Sequence, residues 1–170
     1  MSVAAVVLAA GEASRFGTPK QRLLLPEVLE RLEQSPVDDV VVVAGAHTLE
    51  TPARVVTCAG WKRGPGASLS AGLEELGDDV EATIVVLADG PDLVPETVGR
   101  VIDAWRADGG RIVAASYGGE RGHPLLVARE AWDSIPDGGL RELVARLVPC
   151  DDLGAPGDVN TPADLPERLR

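Results

Sequence analysis

Between Leu8 and Lys20 the chain reads LAAGEASRFGTPK, with glycines at 11 and 17 and cations at Arg15 and Lys20. Glycines, lacking a Cβ, let backbone N–H groups close on phosphate oxygens, and the two cations would neutralise those oxygens. A Walker A loop is excluded because Thr18 follows Gly17 where that loop needs lysine. A dinucleotide fingerprint would need a glycine two residues after Gly11, and none is there. A glycine turn with two solvated cations is the bland reading of the same letters.

Candidate oxygen donors for a cation lie far away in the chain. The segment LADGPDL puts Asp89 directly after an apolar run, with Pro91 stiffening the turn and Asp92 close by. A carboxylate there can hold Mg²⁺, which prefers hard oxygens and bridges protein carboxylates to substrate phosphates. Alternatively these aspartates cap the helix opening near Pro95, a role that suits Asp92. GDVNTPADL then offers Asp158 and Asn160 before a helix start, either as a turn with Thr161 as its cap or as a second oxygen donor to the same ion. WKRGPGASLSAGL joins Lys62, Arg63, two glycines and two serines, Ser68 and Ser70, ahead of a stripe at Leu69, Leu73 and Leu76. Those serines either cap a helix or face a base or ribose. His47 and His123 have no metal-ligand spacing, and His123, within RGHPLL, is the better functional candidate of the two.

Composition narrows the partners. The chain has 170 residues and a formal charge of -11, so it lacks the basic footprint of a nucleic-acid binder. Its two lysines, Lys20 and Lys62, both fall in glycine-bearing loops. Cys58 and Cys150 are far apart with no C-x-x-C, which reads as two buried thiols. No basic leader precedes the first strand pattern, and no apolar run approaches the roughly 20 residues that span a bilayer. A single domain over 1–170 in a reducing cytoplasm is expected, with neither nucleic acid nor membrane as partner.

The elements that would position these residues alternate between two periods. Short β-branched runs at 3–9, 40–44, 84–88 and 112–115 read as strands buried on both faces of a parallel sheet, with shorter strands at 54–57 and 125–128. Helical spacing appears at Leu25, Val28, Leu29 and Leu32, at Val98, Val101, Ile102 and Trp105, and at Leu140, Leu143, Val144 and Leu147. Pro26 and Pro95 suit first-turn positions, Gly109-Gly110 a helix stop, and Thr161-Pro162 the opening of a terminal helix. The alternation predicts a three-layer α/β/α, Rossmann-like architecture around a mostly parallel sheet. The connection from Val43 to Val55 is too short for a crossover helix, which leaves the strand order there open. Ligands of such sheets collect beyond the carboxyl ends of the strands, where the loops named above fall.

Six of these segments, in order, resemble the MobA/MocA-like nucleotidyltransferases, which attach GMP or CMP to the molybdenum cofactor. They are L-A-A-G-x-x-x-R-x-G-x-x-K, WKRGPGASLSAGL, VVLADGPDLVP, GHPLL, DGGLREL and DVNTPADL. The resemblance is closer to the MocA branch and covers nearly the whole chain. It implies a nucleotidyltransferase fold in which Leu8, Ala9, Ala10, Gly11, Arg15, Gly17 and Lys20 bind a nucleoside triphosphate, CTP or GTP. Arg15, Lys20 and Asp89 would be catalytic. Asp89 and Asn160 would hold Mg²⁺, with Asp158 close by. Ser68, Ser70 and Gly72 would contact the nucleotide, while Gly122 and His123 would face a phosphorylated acceptor, molybdopterin in the first instance. Asp137, Gly139 and Arg141 match the family's D-x-G-x-R. Where the family usually has glutamine this chain has Gly90, and segments around Pro26 to Leu29 and after Gly45 are shortened. A different acceptor, such as phospholactate or a sugar phosphate, and a non-catalytic nucleotide-binding module are the rival readings.

Overall fold

The computed structural model describes residues 2–11 and 20–170, so Arg15 and Gly17 lie outside the described residues. Seven strands form one sheet: β1 (Ser2–Ala9), β2 (Asp39–Ala44), β3 (Arg54–Thr57), β4 (Val80–Leu87), β5 (Ile112–Tyr117), β6 (Glu120–Ala128) and β7 (Arg146–Pro149), in the order β3-β2-β1-β4-β6-β5-β7. All neighbours run parallel except β6, which is antiparallel to both β4 and β5.

Side chains alternate across each strand, and both faces are covered. From β1, Val3, Ala5 and Val7 turn to one face, where they meet Leu25, Val28 and Leu32 of α1 (Lys20–Glu33) and Val98, Val101 and Ile102 of α3 (Pro95–Asp108). Ala4 and Val6 turn to the other, against Leu69 and Leu73 of α2 (Pro65–Leu73). Burial on both faces explains why these strands read as unbroken apolar runs. The expected three layers are therefore present, and Cys58 and Cys150 are both buried free thiols.

Four expectations are corrected. Pro26 lies inside α1 rather than in its first turn, because the helix begins at Lys20, and its missing N–H forgoes one interior hydrogen bond. The stripe at 140–147 is no helix: a single 3-10 turn at Leu140–Glu142 leads into β7, which pairs with β5 from Val113↔Arg146 to Ser116↔Pro149. Val144 is 95% exposed there, impossible for the inner face of a helix. No terminal α-helix follows Thr161; two 3-10 turns do, Pro162–Asp164 and Glu167–Leu169, the first closed by reciprocal Thr161 and Asp164 hydrogen bonds. Finally, α3 is capped by Val94 without a side-chain bond, so Asp92 is not its cap. Other boundaries agree: Pro95 opens α3, and Gly109, at φ 70°, ends it by donating to the Trp105 carbonyl at 2.7 Å.

The parallel core aligns the carboxyl ends of β1, β2, β3 and β4 on one edge of the sheet. Reversal of β6 brings its beginning to that same edge. Register Val85↔Leu125, continued by two residues, sets His123 level with Leu87, just short of Asp89. Among the described residues no helix is long and apolar enough to cross a membrane.

Candidate functional site

Lys20 opens α1 and sends its ammonium to the end of β4. Its Nζ donates to Asp89 Oδ2 at 3.1 Å and to the Val159 carbonyl at 2.6 Å. Asp89 follows β4 because Ala88 still donates to the Leu8 carbonyl, extending the ladder one step past the strand. The carboxyl-terminal segment then lies along this edge, with Asp92 N–H donating to the Pro156 carbonyl at 2.9 Å and Val159 N–H to the Asp89 carbonyl at 3.0 Å. Gly90 makes the approach feasible: a Cβ there would meet Pro156 Cβ at 3.2 Å and the Gly157 carbonyl oxygen at 3.3 Å. Any side chain there would press on the segment that delivers Asp158 and Asn160.

Of those two, Asp158 meets Asp89 directly and Asn160 reaches it through Asp158. Asn160 Nδ2 donates to Asp158 Oδ2 at 3.0 Å, and the Asp158 carboxyl faces that of Asp89. Burial pushes the Asp89 carboxyl above its ordinary value, Lys20 opposes this, and Asp158 adds to it. Asp89 Oδ1 is buried and has no hydrogen-bond partner among the described residues, although its partner oxygen is paired. A carboxylate oxygen so placed costs free energy unless a cation or donor meets it. The oxygen donors here are the carboxylates of Asp89 and Asp158, both hard, with the Asn160 amide bonded to the second. Among the described residues no group of three His, Cys, Asp or Glu side chains comes together. Such a set fits Mg²⁺, which keeps several positions for phosphate oxygens and water.

Beside these residues a cleft of about 310 Å³ is lined by Leu8, Gly11, Lys20, Trp61, Ser68 and Asp89, among others. A second hollow of about 320 Å³ adjoins it, sharing Leu8, Pro65 and Leu87, and is lined by Arg121, Gly122, His123, Gly139 and Arg141. Next to the shared Pro65, Gly66 lies tight against the Pro136–Asp137 backbone. Gly66 N–H donates to the Asp137 carbonyl at 2.9 Å, and a Cβ on Gly66 would fall 1.7 Å from the Pro136 carbonyl oxygen. Arg121, in the second hollow, donates to the carbonyls of Leu143 and Leu140. His123 is pushed down to about 4, first by burial and then by Arg121, with Asp158 working the other way, so it is neutral at pH 7.

The structure therefore brings Leu8, Ala10, Gly11, Lys20, Ser68 and Asp89 to one cleft and Gly122 and His123 to its neighbour. Three expected residues are elsewhere. The Ala9 side chain belongs to the core, and Ser70 sits on α2 outside both sets of lining residues. Gly72 lies against the sheet, where a Cβ would meet methyls of Val6 and Val43 at 2.8 Å, so its lack of a side chain serves packing. Lining residues outside the expected set are Gln21, Trp61, Gly64, Pro65, Leu87 and Ala88. Gln21 carried a usable signal: it stands four residues before Leu25 on the buried stripe of α1, a polar residue where the pattern calls for an apolar one.

A family model described as the MobA-like NTP transferase domain matches residues 5–150. The chain belongs to this nucleotidyltransferase family. Asp158 and Asn160 lie beyond the matched residues. The bifunctional protein GlmU of Streptomyces avermitilis is 36% identical over 126 residues, 64% of this chain, and the chain spans about a quarter (26%) of that protein. Rv0371c of Mycobacterium tuberculosis H37Rv is 28% identical with a TM-score of 0.79, covering 96% of each chain. A structure of Rv0371c in complex with manganese is 25% identical at a TM-score of 0.73, covering 97% of this chain and 93% of that one. Molybdopterin-guanine dinucleotide biosynthesis protein A from Archaeoglobus fulgidus shares the fold at 18% identity and a TM-score of 0.73, covering 98% of this chain and 96% of its own.

Proposed function

We propose that this MobA-like protein transfers CMP or GMP from the corresponding triphosphate to a phosphorylated small-molecule acceptor, with Mg²⁺, releasing pyrophosphate. The observation that carries this reading is Asp89 Oδ1, buried and without a partner among the described residues, beside Lys20 and the Asp158 carboxyl, to which Asn160 is bonded. The manganese complex of Rv0371c supports a divalent ion in the fold. Bound at Asp89, Asp158 and Asn160, Mg²⁺ would supply positive charge to the phosphates.

The remaining work falls to the chain's own residues. An acceptor phosphate oxygen attacks the α-phosphorus, the bond to the β-phosphate breaks, and its electrons leave with pyrophosphate. Such transfers need alignment and charge neutralisation rather than covalent help. Lys20 provides a cation at the cleft wall, and Arg15 is assigned the same task from the glycine loop. Gly11 and Ser68 border the nucleotide. Gly122, His123, Gly139 and Arg141 border the acceptor, for which molybdopterin is the first choice on the strength of the motif order.

The test is pyrophosphate release from CTP, GTP, ATP and UTP with Mg²⁺ and, separately, molybdopterin, phospholactate or a sugar phosphate. Release with CTP or GTP and molybdopterin is expected. Release with only another acceptor rejects molybdopterin, and tight nucleotide binding without turnover on any acceptor would make the protein a nucleotide-binding module.

A further inference from the structure

Neither the ion site nor the phosphate loop accounts for Gln21. It is the second residue of α1, only 3% exposed, and it lines the cleft between Gly11 and Lys20. Its Nε2 donates to the Gly11 carbonyl at 2.8 Å. That bond fixes the amide, since the flipped orientation would press Oε1 against a carbonyl oxygen. Oε1 is left buried with no donor among the described residues. The other inward positions of this stripe are Leu25, Val28 and Leu32, so packing alone would be served by an apolar residue here. A buried unpaired acceptor is costly, and a site that holds one favours a ligand that brings the missing donor.

The chemistry of a nucleoside triphosphate limits what that donor can be. Ionised phosphates offer acceptors alone. Donors sit on the nucleoside: amino or imino N–H groups of the base and hydroxyls of the ribose. We propose that Gln21 Oε1 accepts a hydrogen bond from the nucleoside part of the bound triphosphate and sets specificity there. The inference rests on the nucleotide-transfer reading and deepens it. Gln21 discriminates by rejecting analogues that present an acceptor, or nothing, where the preferred ligand presents a donor.

Binding of matched pairs in Mg²⁺, measured by calorimetry, tests this in the full chain. CTP against UTP and GTP against ITP vary the base amino group, and each ribonucleotide against its 2′-deoxy and 3′-deoxy forms varies a hydroxyl. In the wild type at least one donor-bearing member should bind about tenfold tighter than its partner. In Gln21→Met, and in Gln21→Leu should the first fail to melt cooperatively, that gap should shrink to within about twofold through weaker binding of the donor-bearing ligand. A base pair responding assigns the donor to the base, a sugar pair to the ribose. No gap in the wild type, a gap that persists in the variants, or an equal loss for every nucleotide would overturn the inference, the last leaving Gln21 as a support for Gly11. Failure of the wild type to bind any triphosphate would instead overturn the nucleotide-transfer reading itself.

Discussion

Lys20 Nζ and Asp89 Oδ2 lie 3.1 Å apart across 69 residues of sequence, with only 11% and 22% of their side chains exposed. The pair ties the start of α1 to the end of β4. It also leaves Asp89 Oδ1 unpaired and facing the Asp158 carboxyl. This arrangement separates stability from catalysis. Asp89→Asn keeps an oxygen for Lys20 and removes a carboxylate that burial and Asp158 both disfavour. Its melting temperature should therefore stay within a few degrees of the wild type or rise. Metal-dependent pyrophosphate release should fall by about a hundredfold or more, since charge stabilisation of this kind carries such factors. Retention of full Mg²⁺-dependent turnover would remove Asp89 from the metal site.

His123 gives a pH signature. Its folded-state value of about 4 lies below the ordinary 6.5, so the unfolded chain binds the proton more readily. Stability associated with this residue is complete above about pH 6.5 and is lost as pH falls toward 4, by at most about 3 kcal/mol. The raised Asp89 carboxyl works in the opposite direction, gaining relative stability as acid protonates it in the fold. Comparing wild type with His123→Gln isolates the histidine. Urea titrations at pH 7 and pH 4.5 should show a smaller acid loss in the variant, and parallel losses would place His123 in contact with water.

The sheet was legible because its inner strands are buried on both faces, and nothing else gives runs like Val3 to Ala9. The direction of β6 was not, because Leu125 to Ala128 is equally apolar whichever way it runs. The stripe at Leu140, Leu143, Val144 and Leu147 misled because Arg146 to Pro149 answers to a vacant edge beside β5, which no local pattern records. At the site, Asp89 could be found from its place after a strand. Asp158, more intimate with Asp89 than the sequence suggested, depends on how a carboxyl-terminal turn docks against Gly90. Gly72 packs against Val6 and Val43, and a glycine that lets a helix settle on a sheet looks the same in sequence as one that admits a ligand.

That last distinction is measurable. Gly72→Ala places a methyl 2.8 Å from Val6 and Val43, too close without movement of α2. Overpacking of this sort costs about 1–3 kcal/mol, which urea unfolding should reveal. Nucleotide affinity should change less than twofold. A variant of normal stability with a large loss of affinity would return Gly72 to the nucleotide.

Arg168 braces the Asp89 turn from outside the cleft. Its guanidinium donates to Asp92 Oδ1 at 2.8 Å and to the Pro91 carbonyl at 3.1 Å, and its Nε lies 3.5 Å from Glu27 Oε1. The chain end is thereby tied to both the Asp89 turn and α1. Because the arginine is 41% exposed, Arg168→Ala should cost no more than about 1 kcal/mol of global stability. Its effect on the ion should be larger than that suggests. The segment carrying Asp158 and Asn160 is held at this edge by the Asp92–Pro156 and Val159–Asp89 backbone bonds, and Arg168 fixes the loop supplying two of those four partners. Loosening it spreads the donors without removing any. Titration with Mn²⁺, followed by electron paramagnetic resonance, should show several-fold weaker binding in Arg168→Ala with the stoichiometry unchanged, and partial recovery in Arg168→Lys. Equal Mn²⁺ affinity in all three proteins would mean that the backbone bonds hold the donors by themselves.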